Sequence, residues 1–338
     1  MSDQATHNPR VSIGMPVYNG SRYLRAAMDS LLGQTFTDFE LIVSDNASSD
    51  DSASIVQEYM QHDPRIVFVR QPTNLGAARN FNFVAEHARG EFFKWAAADD
   101  ICAPTFLARC VEVLDADSSV ISCHTRTRKI DEHGEELTHL DDPTDGGLPT
   151  AWFQGAANGH RRPDASSPYP SRRFADVLLY SGWAARSYCV FRTSELLKTS
   201  LLLPYYGSEK TTMAQLALRG RFHDVPETLF FQRVHDGASS RLKTSAGQQQ
   251  YIAGRQTGRQ SPRLQLVRDY LGAITEAPIS LSEKCRCYAW LVRYFLQMHK
   301  WPQVLYSAVS GRGIGSPTKP ARSTQHTAAS RATATTCE

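Results

Sequence analysis

No two of the seven cysteines, at positions 102, 110, 123, 189, 285, 287 and 337, stand at C-x-x-C spacing, and their number is odd. A zinc site and a disulfide framework are therefore disfavoured, and a reducing cytoplasm is the expected setting. No run of eighteen apolar residues occurs, so no membrane-spanning helix is expected. The polar stretch 1–10 lacks the apolar core of a secretory signal. Net charge is only +3 over 338 residues, which makes no electrostatic case for a nucleic-acid partner. No G-x-G-x-x-G follows the first expected strand, no G-x-x-x-x-G-K-[ST] appears, and no G-x-S-x-G is present. Dinucleotide, P-loop and α/β-hydrolase chemistry are each disfavoured on those grounds.

What is present centres on residues 91–104, Glu-Phe-Phe-Lys-Trp-Ala-Ala-Ala-Asp-Asp-Ile-Cys-Ala-Pro. A mostly apolar run over 92–98, with Lys94 its only charge, stops at the adjacent carboxylates Asp99 and Asp100. A short run of this kind predicts a strand buried on both faces of a parallel sheet. Ligands of open α/β sheets gather beyond the carboxyl ends of such strands. Two neighbouring carboxylates stay charged together only where water or a cation compensates them. The pair therefore reads either as part of a divalent-metal site or as an acidic turn capping the next helix.

Upstream, strands and helices alternate. Residues 11–17 read as a first strand, with Pro16 near its end, where a missing N–H is tolerable. Tyr18-Asn19-Gly20 makes a turn, and Ser21 opens a helix with Leu24, Ala27, Met28, Leu31 and Leu32 on one face. A strand at 39–44 ends at Asp45, and a helix follows with Ile55, Val56, Tyr59 and Met60 together. Then come a strand at 66–69 and a helix at 77–88 that carries Arg79. A helix at 104–115 and a strand at 120–127 follow the acidic pair. This rhythm predicts an α/β fold, a mostly parallel sheet with right-handed crossovers and flanking helices.

Residues 134–171, rich in Gly, Pro, Asp and Ser, predict a long flexible loop. Helical periodicity resumes at Phe174, Val177, Leu178 and Ser181. A strand is expected at 187–192, a helix at 209–219 closed by Gly220, and short strands at 221–225 and 228–234, ending at His235. Residues 242–260 are polar and Gln-rich, a linker in character. Ser261-Pro262 opens a helical segment, and a further helix spans 282–301, with Trp290, Leu291, Tyr294, Phe295 and Met298 on one face. Residues 311–338 predict disorder.

Four blocks, in order, resemble family 2 of the glycosyltransferases. They are Val-Ser-Ile-Gly-Met-Pro-Val-Tyr-Asn-Gly, Gln-Thr-Phe-Thr-Asp-Phe-Glu-Leu-Ile-Val-Ser-Asp-Asn-Ala-Ser-Ser-Asp, Asn-Leu-Gly-Ala-Ala-Arg-Asn and Ala-Asp-Asp. They cover roughly 11–127, with weaker similarity to His235. The resemblance implies the GT-A fold and inverting transfer from a nucleotide-diphosphate sugar. On it, 11–131 would be the nucleotide-sugar-binding half, 132–241 the acceptor-side half, 242–310 a linker and helical extension, and 1–10 and 311–338 an arm and a tail.

The resemblance also implies roles. Pro16 and Tyr18 would border the nucleotide, with Tyr18 against the base. Asp45 would accept from the base, which tilts the donor towards a UDP- or dTDP-sugar. Arg79 would lie near the base and the acidic motif. Asp99 would contact ribose or the metal shell, Asp100 would ligate Mg²⁺ or Mn²⁺, and His235 would stand near that ion. Many relatives read Asp-x-Asp-Asp where this chain has Ala97-Ala98-Asp99-Asp100, so the first acid is absent.

Inversion needs one base, and the resemblance implies an Asp or Glu at the start of a helix after the acceptor region. Here Gly207-Ser208-Glu209 precedes Ala214-Gln215-Leu216-Ala217-Leu218, which makes Glu209 the best-placed carboxylate. Its competing reading is a first-turn acid favoured by the helix dipole. Two other functions fit less of the pattern. One is a nucleotide-binding scaffold of the same fold with impaired catalysis. The other is a sugar nucleotidyltransferase, for which Tyr18-Asn19-Gly20-Ser21-Arg22 makes a poor triphosphate loop. The helix at 282–301 is expected to dock on its own protein, for stability or a homodimer contact. Its basic set, Arg286, Arg293 and Lys300, is small for peripheral membrane attachment. The acceptor cannot be named from the sequence.

Overall fold

The computed structural model describes residues 8–137, 165–179, 187–239, 242, 244–254 and 262–296. Strands β1 (Val11–Val17), β2 (Phe39–Asp45), β3 (Ile66–Arg70) and β4 (Phe92–Trp95) alternate with helices α1 (Ser21–Leu32), α2 (Ser52–Met60) and α3 (Ala77–Glu86). After β4 come β5 (Ile101–Cys102), α4 (Phe106–Ala116), β6 (Val120–Ile130), α5 (Pro170–Leu179), β7 (Val190–Arg192) and the short α6 (Thr193–Leu196). The chain continues with α7 (Glu209–Arg219), β8 (Arg221–Arg233), α8 (Ser245–Ala253), α9 (Pro262–Glu276) and α10 (Leu281–Phe295).

The described strands form one sheet in the order β3-β2-β1-β4-β7-β6-β8-β5. The β3-β2-β1-β4 half is parallel, whereas β7 is antiparallel to β4 and β6, β8 is parallel to β6, and β5 is antiparallel to β8. Every residue of β1, β2 and β4 is buried, as expected of central parallel strands with helices on both faces. Val11, Ile13, Met15 and Val17 face one core with α1, α2 and α4. Phe93 and Trp95 face a second core built with α3, α5, α7, α9 and α10.

The run expected as a strand over 92–98 stops at Trp95. The last β1–β4 pair is Gly14–Trp95, with Ala96 N donating to Gly14 O at 2.8 Å. Residue 16 faces β4 next, and a proline there has no proton to continue the ladder. The chain is thereby released into a turn carrying Asp99 and Asp100 before it re-enters the sheet as β5. The two short strands expected at 221–225 and 228–234 are one strand, β8. Its register against β6 jumps from Thr125–Val225 to Arg126–Thr228, so Pro226 and Glu227 bulge out without ending it.

The Gln-rich stretch read as a linker contains α8. Thr244 caps it by accepting from Gly247 N at 3.0 Å, and Gly254 closes it in the left-handed region, at φ 68°. The helix expected at 282–301 begins at Leu281 and is described to Phe295; Met298, Lys300 and Trp301 lie outside the described residues. It docks on α5 and α9 through buried Cys287 and Leu291, with Trp290 and Tyr294 partly buried, while Val292 and Phe295 are exposed. Glu283 ties it to α5 by accepting from Ser171 N at 2.8 Å. Most of the loop expected at 134–171, residue 181 and the tail at 311–338 also lie outside the described residues.

Among the described residues, no helix is long and apolar enough to cross a membrane. All the described cysteines are free, and all but Cys285 are buried.

Candidate active site

Parallel strands present their carboxyl ends at one edge, so the ends of β1, β2 and β4 bring Tyr18, Asp45 and Asp99–Asp100 to the same side. The turns after β1 and β2 are stitched together. Asn19 N donates to Ser48 Oγ (2.9 Å), Gly20 N to Ser52 Oγ (3.0 Å) and Ser21 N to Asp50 Oδ2 (2.9 Å), while Ser49 N donates to Asn19 Oδ1 (2.9 Å). Burial works against ionisation of Asp50, but the Ser52 hydroxyl and the Ser21 N–H hold its carboxyl down to about 2. Asn46 extends the stitching to a third turn, bonding Asn74 Oδ1 at 3.0 Å and Leu75 N at 2.8 Å.

On this frame Tyr18 is 52% exposed, a ring face open to solvent at the strand end. Pro16 is buried in β1 beneath it. Asp45 is fully buried; both its oxygens lie 3.3 Å from Ser48 N, and Oδ2 lies 3.3 Å from Arg70 Nε. The protein thus already engages Asp45 as a turn acceptor, the competing role open to such a residue. Arg79 is exposed on α3, with no hydrogen bond or ion pair to another described residue.

Asp99 and Asp100 do not cap α4, whose N-cap Thr105 makes no side-chain bond. Asp100 Oδ1 instead accepts from Arg233 N (2.9 Å), and Arg233 Nε donates to Asp99 O (2.9 Å). The last residues of β8 therefore hold the acidic turn. His235 Nε2 lies 2.9 Å from Asp99 Oδ2, and its ring packs 4.8 Å from Tyr23, which also lies 4.7 Å from the Arg233 guanidinium. Asp100 is 7% exposed, and burial together with the Asp99 carboxylate pushes its carboxyl well above the usual range, against the Arg233 N–H.

Behind the turn, Lys94 is fully buried. Its Nζ donates to Trp95 O (3.0 Å) and Tyr188 O (3.1 Å) and lies 4.8, 5.2 and 5.7 Å from the ring centres of Phe106, Phe230 and Tyr188.

Glu209 is the first residue of α7. Ser208 anchors the preceding turn by donating to Leu203 O at 2.8 Å and accepting from Leu203 N at 3.1 Å. Burial raises the Glu209 carboxyl, and Lys210 only partly offsets that. Tyr188 and Tyr251 each lie within the electrostatic reach of both Asp99 and Glu209.

The residues that sequence reasoning missed are Tyr23, Tyr188, Tyr206, Arg233 and Tyr251. Arg233 had a signal, since it stands two before His235 and so on the same side of a strand. Tyr251 was hidden by the polar stretch around it.

Among the described residues, no group of three or more His, Cys, Asp and Glu is arranged to hold a metal ion by itself. The residues present nevertheless suit an ion completed by a ligand. Mg²⁺ is usually bound through one or two carboxylates plus substrate phosphates, and an undercompensated acidic pair is what such an ion requires.

The sequence profile described as Glycosyl transferase family 2 matches residues 12–167. The chain carries a domain of that family. Chondroitin synthase of Escherichia coli is 33% identical over 131 residues, which make up 39% of this chain and 19% of that protein. The putative glycosyltransferase EpsH of Bacillus subtilis is 29% identical over 158 residues, 45% of each chain. The family domain thus spans less than half the length of either relative.

In fold, S. aureus TarS 1–349 in complex with UDP-GlcNAc superposes with a TM-score of 0.58 at 16% identity, over 90% of this chain and 82% of that one. The mannosyltransferase PcManGT from Pyrobaculum calidifontis, in complex with GDP-Man and Mn²⁺, gives 0.56 at 18% identity, over 90% and 74%. The family 2 domain therefore has the GT-A fold. Unlike the profile match, the fold likeness extends well beyond residue 167.

Proposed function

We infer that the protein transfers a sugar from a nucleotide-diphosphate sugar to an acceptor hydroxyl with inversion at the anomeric carbon. The observation that carries this reading is that Tyr18, Asp45 and the Asp99–Asp100 turn stand at one sheet edge, with Tyr188 and Tyr251 within the electrostatic reach of both Asp99 and Glu209. Tyr18 offers an open ring for the base, and Asp45 and the stitched turns fix the floor beside it. Arg79, on the helix after the third turn, is available to the same nucleotide.

Asp100, with Asp99 and His235 beside it, would hold a divalent cation, which neutralises charge on the departing diphosphate. His235 orients Asp99 through their hydrogen bond. Glu209 takes the proton of the acceptor hydroxyl as its oxygen bonds to the anomeric carbon. The bond from that carbon to the diphosphate oxygen breaks, and the electron pair leaves with the nucleotide diphosphate. Burial suits Glu209 to this work, because a raised carboxyl pKa makes a stronger base near neutral pH.

The test is a panel of nucleotide sugars, read as release of nucleotide diphosphate and as the anomeric configuration of the product. Release from at least one donor, with an inverted product that Glu209→Gln fails to form, supports the reading. Pyrophosphate release from a nucleoside triphosphate and a sugar phosphate, without sugar transfer, would replace it with nucleotidyl transfer. Nucleotide diphosphate binding without turnover of any donor would leave a binding scaffold.

A further inference from the structure

Helix α8 meets the turn before α3 backbone to backbone. Gly254, at its end, and Gly76, before α3, meet main chain to main chain, both with positive φ (68° and 81°). A Cβ added to Gly76 would fall 2.4 Å from Gly254 N, and one added to Gly254 would fall 2.9 Å from Gly76 N. At its other end α8 is anchored by the Thr244 cap and by buried Gln248, whose Nε2 donates to Leu242 O at 2.9 Å. The helix is thus capped within its own segment at one end and seated on the turn before α3 at the other.

This helix presents Tyr251. Its partner is Tyr206, three residues before Glu209, whose hydroxyl donates to Ser239 O at 3.3 Å. Tyr251 lies beside the same serine, so both tyrosines approach the loop that follows His235. Tyr251 keeps 38% of its surface open. Both rings lie within the electrostatic reach of Glu209, and Tyr251 also within that of Asp99. Aromatic faces that flank a carboxylate suit the apolar C–H face of a sugar ring, whose hydroxyls can then reach the acid. A second negative charge beside the half-buried Glu209 carboxylate is costly, which disfavours an acceptor that brings one to the same point.

We propose that Tyr251 of α8 and Tyr206 of the turn before Glu209 form the acceptor subsite, and that the acceptor's reactive end is an uncharged sugar ring stacked on them. This inference rests on the glycosyl-transfer reading of the same site. Donor and acceptor would then enter from opposite sides of the Asp99–Glu209 gap, the donor over Tyr18 and the acceptor over Tyr251.

The experiment compares the intact parent with Tyr251→Ala, Tyr251→Phe and Tyr206→Ala, after confirming that each melts like the parent. Release of nucleotide diphosphate from the donor is measured without acceptor and with a panel of neutral mono- and oligosaccharides, alongside sugar phosphates. The proposal expects saturable stimulation by at least one neutral saccharide. It expects Tyr251→Ala to raise the KM for that saccharide about tenfold or more, Tyr206→Ala to raise it too, and Tyr251→Phe to keep most of the affinity. In Tyr251→Ala and Tyr206→Ala the KM for the saccharide changes by a larger factor than acceptor-free release or the donor KM does.

Equal losses in Tyr251→Phe and Tyr251→Ala would overturn stacking, and a parallel fall in acceptor-free release would move the tyrosines to the donor side. Stimulation by sugar phosphates alone, or by no saccharide, would overturn the neutral-sugar assignment. Failure of the parent to bind or turn over any nucleotide sugar would instead reject the glycosyl-transfer reading, and this subsite with it.

Discussion

His235 Nε2 lies 2.9 Å from Asp99 Oδ2, joining the end of β8 to the acidic turn after β4 across 136 residues of sequence. Arg233 does the same for Asp100 through its backbone N–H. The acidic pair is therefore held by the end of β8 and the residues just after it, so its geometry depends on a part of the chain far from β4. His235→Ala should leave Asp99 without its side-chain partner and remove most of any Mn²⁺-dependent stabilisation by UDP. His235→Gln, which can still donate a hydrogen bond, should retain a larger share. Thermal melting with UDP and Mn²⁺ checks both, and an unchanged response in His235→Ala would remove the histidine from the site.

Lys94 bears on stability. Its ammonium is fully buried, satisfied by two carbonyls and three rings, and lies under the Asp100 turn. Lys94→Ala removes the volume and leaves both carbonyls unpaired, which should cost about 3–5 kcal/mol in urea denaturation. Lys94→Met keeps the volume and should cost clearly less. Equal losses would show that hydrogen bonding, rather than packing, dominates at this position.

Glu209 sets the pH dependence. Burial raises its carboxyl above the usual value, so the folded protein holds that proton to higher pH than the unfolded chain does. Its contribution to stability is full below the unfolded pKa and is lost as pH rises through the folded one. On the proposed role activity runs the opposite way, since a base works only when ionised. Glu209→Gln should flatten the part of the melting-temperature decline that falls just above the ordinary glutamate range. It should also lower turnover by roughly 10²–10⁴ with donor binding nearly unchanged. Turnover that persists in Glu209→Gln would move the base elsewhere.

The β1 to β4 part was legible because each of its central strands is buried on both faces and ends in a polar turn. Asp45, Asp99 and Tyr18 could be placed at one edge from that pattern alone. The rest was less legible, for local reasons. β5 is two residues long, too short to show a period, and Pro226 and Glu227 made a bulged strand look like two. α8 carries four glutamine and glycine residues in a row, Gly247 to Gln250, so no apolar stripe marks it. Its signals were the cap residues Thr244 and Gly254, and without the helix Tyr251 had no place near Glu209. The partners of Asp99 and Asp100 lie more than 130 residues away, and only folding brings them together.

The C-terminal helices belong to the core of the same domain. Asp269 of α9 accepts from the Tyr205 hydroxyl at 2.7 Å, four residues before Glu209, and Leu291 and Cys287 of α10 are buried against α5 and α9. Removing the chain from residue 281 onward should lower the melting temperature or the soluble yield. Salt-sensitive binding of the intact protein to anionic liposomes, lost on that removal, would instead assign α10 to a membrane surface.

The central claim is that the Asp99–Asp100 turn joins a divalent ion to a nucleotide diphosphate. Thermal melting of the parent and Asp100→Ala with UDP, with and without Mn²⁺, tests it most directly. The account predicts that Mn²⁺ enlarges the UDP-induced rise in melting temperature in the parent and has no such effect in Asp100→Ala. A parent that binds UDP equally well with and without Mn²⁺ would contradict it.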